Sequence, residues 1–514
     1  MTDRTTALAD AKAKRLHQRY NAERRFKLYG QIAIAIAVSF LGVLLISIGS
    51  KAASAFSHHV LVVSVDQPDF ATADDLTVSD FNIAVREELL MLFPEAVTDR
   101  VARADIYAMT TRLAVLPLAR RVQNQPDLAN LPIEARLAVS DDLDLYLKTE
   151  IRSHRQRDIG RAGRLSRTAD GVYHLTDAGP DGFESVQADR VLQDGRARDI
   201  LVQVSGAWFE LVDITGATLT LIHLAGPVPD LGEQSSVPIR ATLLSSTGTD
   251  RKVSNRQIAM ALYLQDLGLI KRQFNQSLFS NSDSTYPELA GAAAAIVGSL
   301  LTMIVTAVFA IPVGILAAVY LEEFAKKSFL TSIIEVNINN LAAVPSIIFG
   351  LLGAAVFLNT LGLPRSVPFV GGLVLGLLVL PTIIIAARAA LRSVPPSVRD
   401  AALGLGASPS QAVFHHVLPL AAPGILTGAI IAMARALGET APLLLIGMVA
   451  FISEVPDSPN DEATVLPVLI YKWFSGAERA WEPMTSAVII ILLTVLVTMN
   501  LVAVLLRRRF ERRW

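Results

Sequence analysis

The chain contains no cysteine, so disulfides, thiolate metal sites and thiol nucleophiles are excluded. Charge is scarce as well. Only 18% of the 514 residues are charged, and 46 Lys and Arg against 47 Asp and Glu leave a formal net charge of −1. So even a balance offers no electrostatic footprint for nucleic acid. No GxxxxGK[ST] loop is present to cradle a nucleotide. No catalytic centre, metal site or cofactor is expected. What the chain has in excess is apolar surface, with 52% hydrophobic residues and a mean hydropathy of +0.44. That exceeds an ordinary soluble protein. Several runs of about 20 apolar residues account for it, the length a helix needs to cross a bilayer.

Residues Met1 to Lys27 are basic, with Arg4, Lys12, Lys14, Arg15, Arg19, Arg24, Arg25 and Lys27 against Asp3, Asp10 and Glu23. The first apolar run, Leu28 to Ile48, follows at once. Positive charge flanking a span predicts a cytoplasmic N-terminus. Ala53-Ser54-Ala55 resembles a signal-peptide cleavage site. The apolar run is longer than the core of about 7–15 residues that such a peptide carries, which favours an uncleaved anchor. Lys51 to Ser284 then lies outside and is long enough for a domain of its own. Val78 to about His154 reads as mostly helical, from apolar spacing in FNIAVREELLMLF and DDLDLYLKTEI. Asp199 to Phe209 and Ala217 to Leu224 read as strands, and Gln257 to Leu269 as a helix. The expectation is an α+β domain, with His58 and His59 as solvated surface and Asn275 to Thr285 as a polar linker.

Apolar runs return at Leu289 to Tyr320, where Pro312 predicts a kink or break. Glu322, Glu323, Lys326 and Lys327 make a short charged loop. Further spans are expected over Ile333 to Leu358, containing Pro345, and over Phe369 to Ala387. Two more follow at about Gly424 to Ala450 and at Met484 to Leu506. The loop Phe451 to Pro483 is acidic and carries Trp473 and Trp481, residues suited to a membrane interface. Six spans place both termini on one side. The basic tail 507–514 and the loop with Arg388, Arg392 and Arg399 fall on that same side as the basic N-terminus, so charge and count agree. The fold class is an all-α polytopic membrane protein with an inserted α+β extracytoplasmic domain. Its parts are a basic segment 1–27, an anchor 28–48, the domain 51–284, a five-span core 289–506 and the tail.

Ser393 to Pro423 is too polar to span. Ser397 offers an N-cap, a short helix follows with Ala401, Ala402, Leu403 and Leu405, and Ser408-Pro409 restarts a helix through His415. Gly404 and Gly406 permit a sharp turn or a close backbone approach. Such a segment suits a lever moved by a partner, or equally an amphipathic connector. In the next apolar helix Arg435 and Glu439 stand four residues apart and share a face. Ionisable groups at membrane depth face a cavity or bundle interior. An arginine fork supplies several N–H donors in one plane. The plainer role is an ion pair that fixes helix packing. Gly428, Gly438, Ala432 and Ala436 would allow neighbouring helices to approach.

Asp400-Ala401-Ala402, then three residues, Gly406, eleven residues and Leu418-Pro419 resembles the EAA loop of ATP-binding-cassette importer permeases. Asp400 replaces the usual Glu, and His416 stands where an aliphatic residue is usual. Ala434-Arg435-Ala436-Leu437-Gly438-Glu439-Thr440-Ala441-Pro442 resembles the signature of phosphate-importer permeases. With Gly424 to Gly428 and VPSIIFGLL at Val344 to Leu352, the similarity is to the PstA-type family. It runs from about Leu289 to the end, leaving the first span and outer domain as an extension.

The resemblance implies a type I importer permease in the bacterial inner membrane. Its loop would be a coupling helix, with Asp400, Ala401, Ala402 and Gly406 against an ATPase dimer and Leu418-Pro419 fixing the loop to the core. Arg435, Glu439 and Thr440 would lie on the translocation path. Partners implied are that ATPase, a second PstC-type permease, a phosphate-binding protein and membrane lipid. Rivals are a permease for sulfate or molybdate, and a membrane-anchored sensor. A sensor would need a cytoplasmic signalling domain, and no internal segment is long enough. A membrane enzyme would need more convergent groups than Arg435 and Glu439.

Overall fold

A computed structural model of the chain describes residues 2–65, 78–111, 113–124, 133–148, 154–162, 164–168, 171–176, 199–215, 218–228, 237–244 and 252–510. One helix, α1 (Thr2–Ala55), runs from the basic segment through the whole first apolar run. The Ala53-Ser54-Ala55 triplet lies inside it, with Ser54 and Ala55 buried. Next come β1 (Ser57–Val65), α2 (Val78–Leu92), α3 (Arg100–Tyr107), α4 (Leu116–Asn124), β2 (Ile133–Ala138) and α5 (Asp141–Leu147). They are followed by β3 (His154–Ala162), β4 (Arg164–Arg167), β5 (Tyr173–Thr176), β6 (Ile200–Val204), β7 (Ala207–Thr215), β8 (Thr218–Ala225), β9 (Val237–Leu244), α6 (Asn255–Asp266) and β10 (Ile270–Phe274).

β1 is the middle strand of an antiparallel sheet ordered β10-β1-β2. Its alternation sends Leu61, Val63 and Val65 into one core with Phe81, Leu89, Ile106 and Ile258 from the helices. β3 to β9 form a second antiparallel sheet, ordered β3-β9-β6-β7-β8-β5-β4. Trp208 on β7 and Leu224 on β8 join the first core, which binds the two sheets into one domain.

Four readings of this region change. The segment Asp199 to Phe209 is a hairpin rather than one strand. Ser205 and Gly206 have φ of 48° and 87°, the positive values a two-residue turn needs. The helical stretch from Val78 is interrupted by β2, where Ile133, Ala135 and Leu137 alternate inward. Residues 149–153 and Ala217 lie outside the described residues. His59 is buried, not solvated. Its backbone N–H donates to Asp144 at 2.8 Å, and its Nδ1 lies 2.9 Å from the same carboxylate oxygen. His58 is half-buried beside Gln273 at 3.1 Å. A central strand covers side chains on both faces, which adjacent histidines alone do not reveal. The segment Asn275 to Thr285 is a packed seam, not a linker. Asn275 is buried and donates to the Ala55 carbonyl at 3.0 Å, α7 (Ser277–Ser280) follows, and Asp283 pairs with Lys472 and accepts from Trp473 Nε1.

The helical half comprises α8 (Ala293–Val319), α9 (Phe329–Ala342), α10 (Ser346–Gly353), α11 (Pro368–Arg392), α12 (Pro396–Gly404), α13 (Pro409–Ala412), α14 (Leu418–Leu437), α15 (Ala441–Leu445), α16 (Leu466–Phe474) and α17 (Trp481–Phe510). Small residues let these helices approach. A Cβ on Gly372 would fall 2.5 Å from Val305, and one on Gly314 would fall 2.7 Å from Ile383. Residue numbers rise together along α8 and α11, with 305 beside 372 and 314 beside 383, so the two are parallel. A Cβ on Gly424 would meet Ala390 at 2.8 Å and one on Gly428 would meet Ala386 at 2.2 Å, which makes α14 antiparallel to α11. α17 starts beside the end of α1, where Lys51 Nζ is 2.5 Å from Glu482 Oε1. It ends with Arg507 donating to Thr427 at 3.0 Å. Ala55, Ala293, Pro368 and Trp481 therefore lie at one end of the bundle, and Phe324, Arg392 and Arg507 at the other.

α8 continues through Pro312 into a π-helical turn, Tyr320–Phe324, instead of breaking. The span expected over Ile333 to Leu358 is instead two helices bent by 105°. Pro345 caps α10 with ψ of 137°, outside the helical range. Because α8 ends where α11 ends, this bent pair must carry the chain across, and with five long apolar helices it makes six crossings. The helix expected to reach Ala450 stops at Leu437, and α15 follows. Trp473 is 1% exposed and its ring lies 5.2 Å from Trp481, so the pair sits in a core rather than at a lipid interface.

Candidate functional site

The polar segment after α11 folds as a short helix held off the bundle. Pro395 rather than Ser397 is the N-cap of α12, and the fixed φ of Pro396 at its first position presets the first turn. The helix stops because Gly406 takes φ of 90°, which lets the Ala407 N–H reach back to the Ala402 carbonyl at 3.1 Å. Ser408 then starts α13 with a capping box. Its Oγ accepts from the Gln411 N–H at 3.3 Å, while the Ser408 N–H donates to Gln411 Oε1 at 2.9 Å. A π-helical turn, Val413–Val417, leads into α14, which runs through Pro419 and Pro423 without interruption.

The residues singled out on this loop divide by exposure. Asp400, Ala401, Gly406 and Pro419 face outward, Leu418 is half-buried, and Ala402 is buried against the bundle. Leu405, an apolar position of the short helix, is 90% exposed. Pro395, Val398, His415, His416, Pro419 and Pro423 line a cleft of about 490 Å³ beside it. An exposed helix tip next to a cleft is a surface shaped for a partner.

Arg435 lies in the last turn of α14, and Glu439 follows the helix end at Gly438. Arg435 Nε is 3.5 Å from Glu439 Oε1, with the side chains 49% and 19% exposed. Thr440 is half-buried at the start of α15. The neighbouring Ala436 and Leu437 line a small cavity with Ser299, Thr302 and Leu375. Thr302 is nine residues along α8 from Ala293, so this cluster stands about 14 Å in from that end of the helix. By contrast Arg388 and Arg392 on α11 close on carboxylates at 3.2 Å or less. Arg435 thus keeps donor directions free at membrane depth, which an anion could take. Gly428 serves close packing, as expected. Gly438 does not: the nearest atom to a Cβ there is the Arg435 carbonyl at 3.7 Å, so its role is to end the helix.

Sequence spacing missed a clamp behind the loop. Arg399 Nε donates to Glu323 Oε2 at 2.9 Å, from 76 residues away. Only the charge of each was legible beforehand.

Six crossings and an outward-facing loop helix define a polytopic membrane permease. Residues 310–514 match the family described as "Binding-protein-dependent transport system inner membrane component". Residues 13–157 match "Domain of unknown function (DUF3333)". The "Phosphate transport system permease protein PstA 1" of Mycobacterium tuberculosis (strain CDC 1551 / Oshkosh) is 34% identical over 220 residues, 43% of this chain and 71% of the relative. PstA of Yersinia pestis is 32% identical over 217 residues, 41% of this chain and 71% of the relative. Among solved structures, an inward-facing MetNI methionine ABC transporter covers 42% of this chain and 95% of its own at 19% identity, with a TM-score of 0.35. The chain belongs to the PstA family of binding-protein-dependent transport permeases.

Proposed function

We propose that the chain forms half of the translocation path of an ATP-driven phosphate importer. The loop-bearing end and both chain ends face the cytoplasm, as their basic residues favour, and 51–284 is extracytoplasmic. The loop seats on an ATPase dimer through Asp400, Ala401, Ala402 and Gly406, while Leu418 and Pro419 join it to α14. ATP is hydrolysed in that partner, and the permease itself is not an enzyme. A second, PstC-type permease completes the path, and a soluble binding protein delivers phosphate. The names of the PstA relatives support this substrate.

The observation that carries the reading is Arg435, half-exposed at membrane depth with one carboxylate 3.5 Å away. A transported anion must be attracted and released. A guanidinium supplies the attraction, and Glu439 takes it back once the anion leaves. Thr440 adds a hydroxyl beside the same path. Phosphate moves when nucleotide closure of the ATPase biases one of two bundle states through the loop.

The test is uptake of labelled phosphate, sulfate and molybdate by the reconstituted complex, with a hydrolysis-dead ATPase as control. ATP-dependent phosphate uptake alone supports the proposal. Uptake of sulfate or molybdate keeps the permease and replaces the substrate. Uptake of none, with the complex intact, refutes a transport role.

A further inference from the structure

Six charged residues tie four elements together at the loop-bearing end of the bundle. Glu322 and Glu323 come from the turn that ends α8, Glu335 from α9, Arg388 and Arg392 from the end of α11, and Arg399 from α12. Arg388 bridges Glu322 at 3.2 Å and Glu335 at 2.6 Å, and Arg392 closes on the second Glu322 oxygen at 2.7 Å. Arg399 grips Glu323 with both teeth of its fork, Nε to Oε2 at 2.9 Å and Nη2 to Oε1 at 2.5 Å. It also donates to the carbonyls of Leu391 at 3.0 Å and Val394 at 2.9 Å, where α11 runs out of helical donors.

The rest of the attachment of α12 is thin. Ala402 is its one buried side chain, while Asp400, Ala401, Leu403 and Gly404 are exposed. A contact through one methyl and the half-buried Val398 lets a helix pivot. A bidentate arginine–carboxylate pair fixes orientation as well as distance. The Glu323 side chain is 7% exposed, so water competes little for it. Arg399 is also the residue directly before Asp400, so a push on the exposed face of α12 reaches its guanidinium first. From Glu323 the connection runs to Glu322, Arg388 and Glu335, and so to α9, whose 105° junction with α10 is the bend in the bundle.

We infer that Arg399 and Glu323 are positioning residues that make α12 and the end of α8 move as one body, so that the pair passes ATPase motion to the crossing helices. This rests on the reading of the chain as an ATP-driven permease. Neither residue touches substrate or nucleotide.

The test is the number of anions carried per ATP hydrolysed by the complete complex with its binding protein. In Arg399→Gln, hydrolysis is expected to stay within about twofold of wild type while anions per ATP fall at least about tenfold. The swap Glu323→Arg with Arg399→Glu is expected to recover part of the ratio, because it restores the ion pair with the charges reversed but not the donations to the Leu391 and Val394 carbonyls. A proportional fall in hydrolysis and uptake overturns the inference, as does an unchanged ratio or a swap that recovers nothing. If Arg399→Gln does not assemble, Glu323→Gln, which keeps the side-chain shape, takes the same measurement. Failure of both to assemble makes the pair a folding element and also overturns it. The wild-type complex separates the two ideas: if it carries sulfate or molybdate in place of phosphate, the substrate falls and the ratio is read with that anion.

Discussion

Replacing Arg435 by alanine tests the proposed anion-binding role, because the structure asks little else of this side chain. The guanidinium is half-exposed and meets Glu439 across 3.5 Å, with no shorter ionic contact. Pairs of that kind contribute about 0–1 kcal/mol to stability, so the bundle is expected to assemble without it. A hydrogen bond to a charged group contributes about 1.5–3 kcal/mol, and about 1.4 kcal/mol is a factor of ten. Phosphate transport by Arg435→Ala should therefore fall between about tenfold and about a hundredfold. Arg435→Lys keeps the charge but loses the planar fork, and should lie between the two. Glu439→Gln removes the counter-charge, so phosphate is held longer: the half-saturating concentration falls and turnover falls with it. The assay is initial uptake in proteoliposomes containing the full complex, with ATP hydrolysis measured on the same samples. Transport by Arg435→Ala within about twofold of wild type, in an assembled complex, would refute the reasoning and leave the pair as helix packing.

Three further outcomes follow from other parts of the molecule. Glu288 sits beside Asp141 and Glu478 where the outer domain meets the bundle, and burial, with repulsion from those carboxylates, raises its pKa from 4.5 to about 7. A raised carboxyl pKa contributes stability that is complete below pH 4.5 and lost as pH rises through about 7, so wild type should melt at lower temperature at pH 8 than at pH 5. Glu288→Gln should flatten that difference, worth at most about 3 kcal/mol, in a thermal melt at each pH. Gly428→Val should cost about 1–3 kcal/mol or abolish assembly, since even a Cβ there falls 2.2 Å from Ala386, and detergent melting of the purified chain reads this. Leu405→Glu should leave the melt of the isolated chain unchanged, because the side chain is 90% exposed. It should weaken ATPase association by about tenfold or more in a titration of the two purified parts, since burying a leucine contributes about 1.5–3 kcal/mol.

What was legible beforehand followed the kind of interaction involved. Crossing helices need apolar length, so Phe369 to Ala387 and Met484 to Leu506 fall inside α11 and α17. That both chain ends share a side is the expectation drawn from where Lys and Arg cluster. The capping box at Ser408 and Gln411 is local and could be anticipated from Ser408-Pro409. Long-range pairings could not. Arg399 and Glu323 are 76 residues apart, and Asp283 and Trp473 are 190 apart, so no spacing rule brings them together. The turn at Ser205-Gly206 was legible in principle, because Gly in an alternating apolar run marks a hairpin. It was hidden by the continuous β-branched and aromatic character on either side.

Pro312 and Pro345 show why breaks in a crossing helix cannot be read from proline alone. Both remove one backbone donor from an apolar helix. Around Pro312, α8 is pinned along its length: Thr306 donates to the Gly372 carbonyl at 3.2 Å, and Ile383 lies within 2.7 Å of where a Cβ on Gly314 would be. Packing of that density holds the helix axis while neighbouring groups and side-chain hydroxyls absorb the lost bond. Before Pro345, α9 has no fully buried residue, with Ile338 partly buried against the bundle, so little packing opposes the extended ψ at Pro345, and the chain bends by 105°. The same residue type is silent in the packed helix and decisive in the unpacked one. A bend beside an unburied helix, connected through Glu335 and Arg388 to the end of α8, is also where rearrangement costs the fewest contacts. Filling that side, by a partner permease lying along α9, would remove the freedom that the isolated chain retains. The bend should therefore change angle less in the complete complex than in the chain alone, and distance measurements between labels at Leu330 and Val356 would show it.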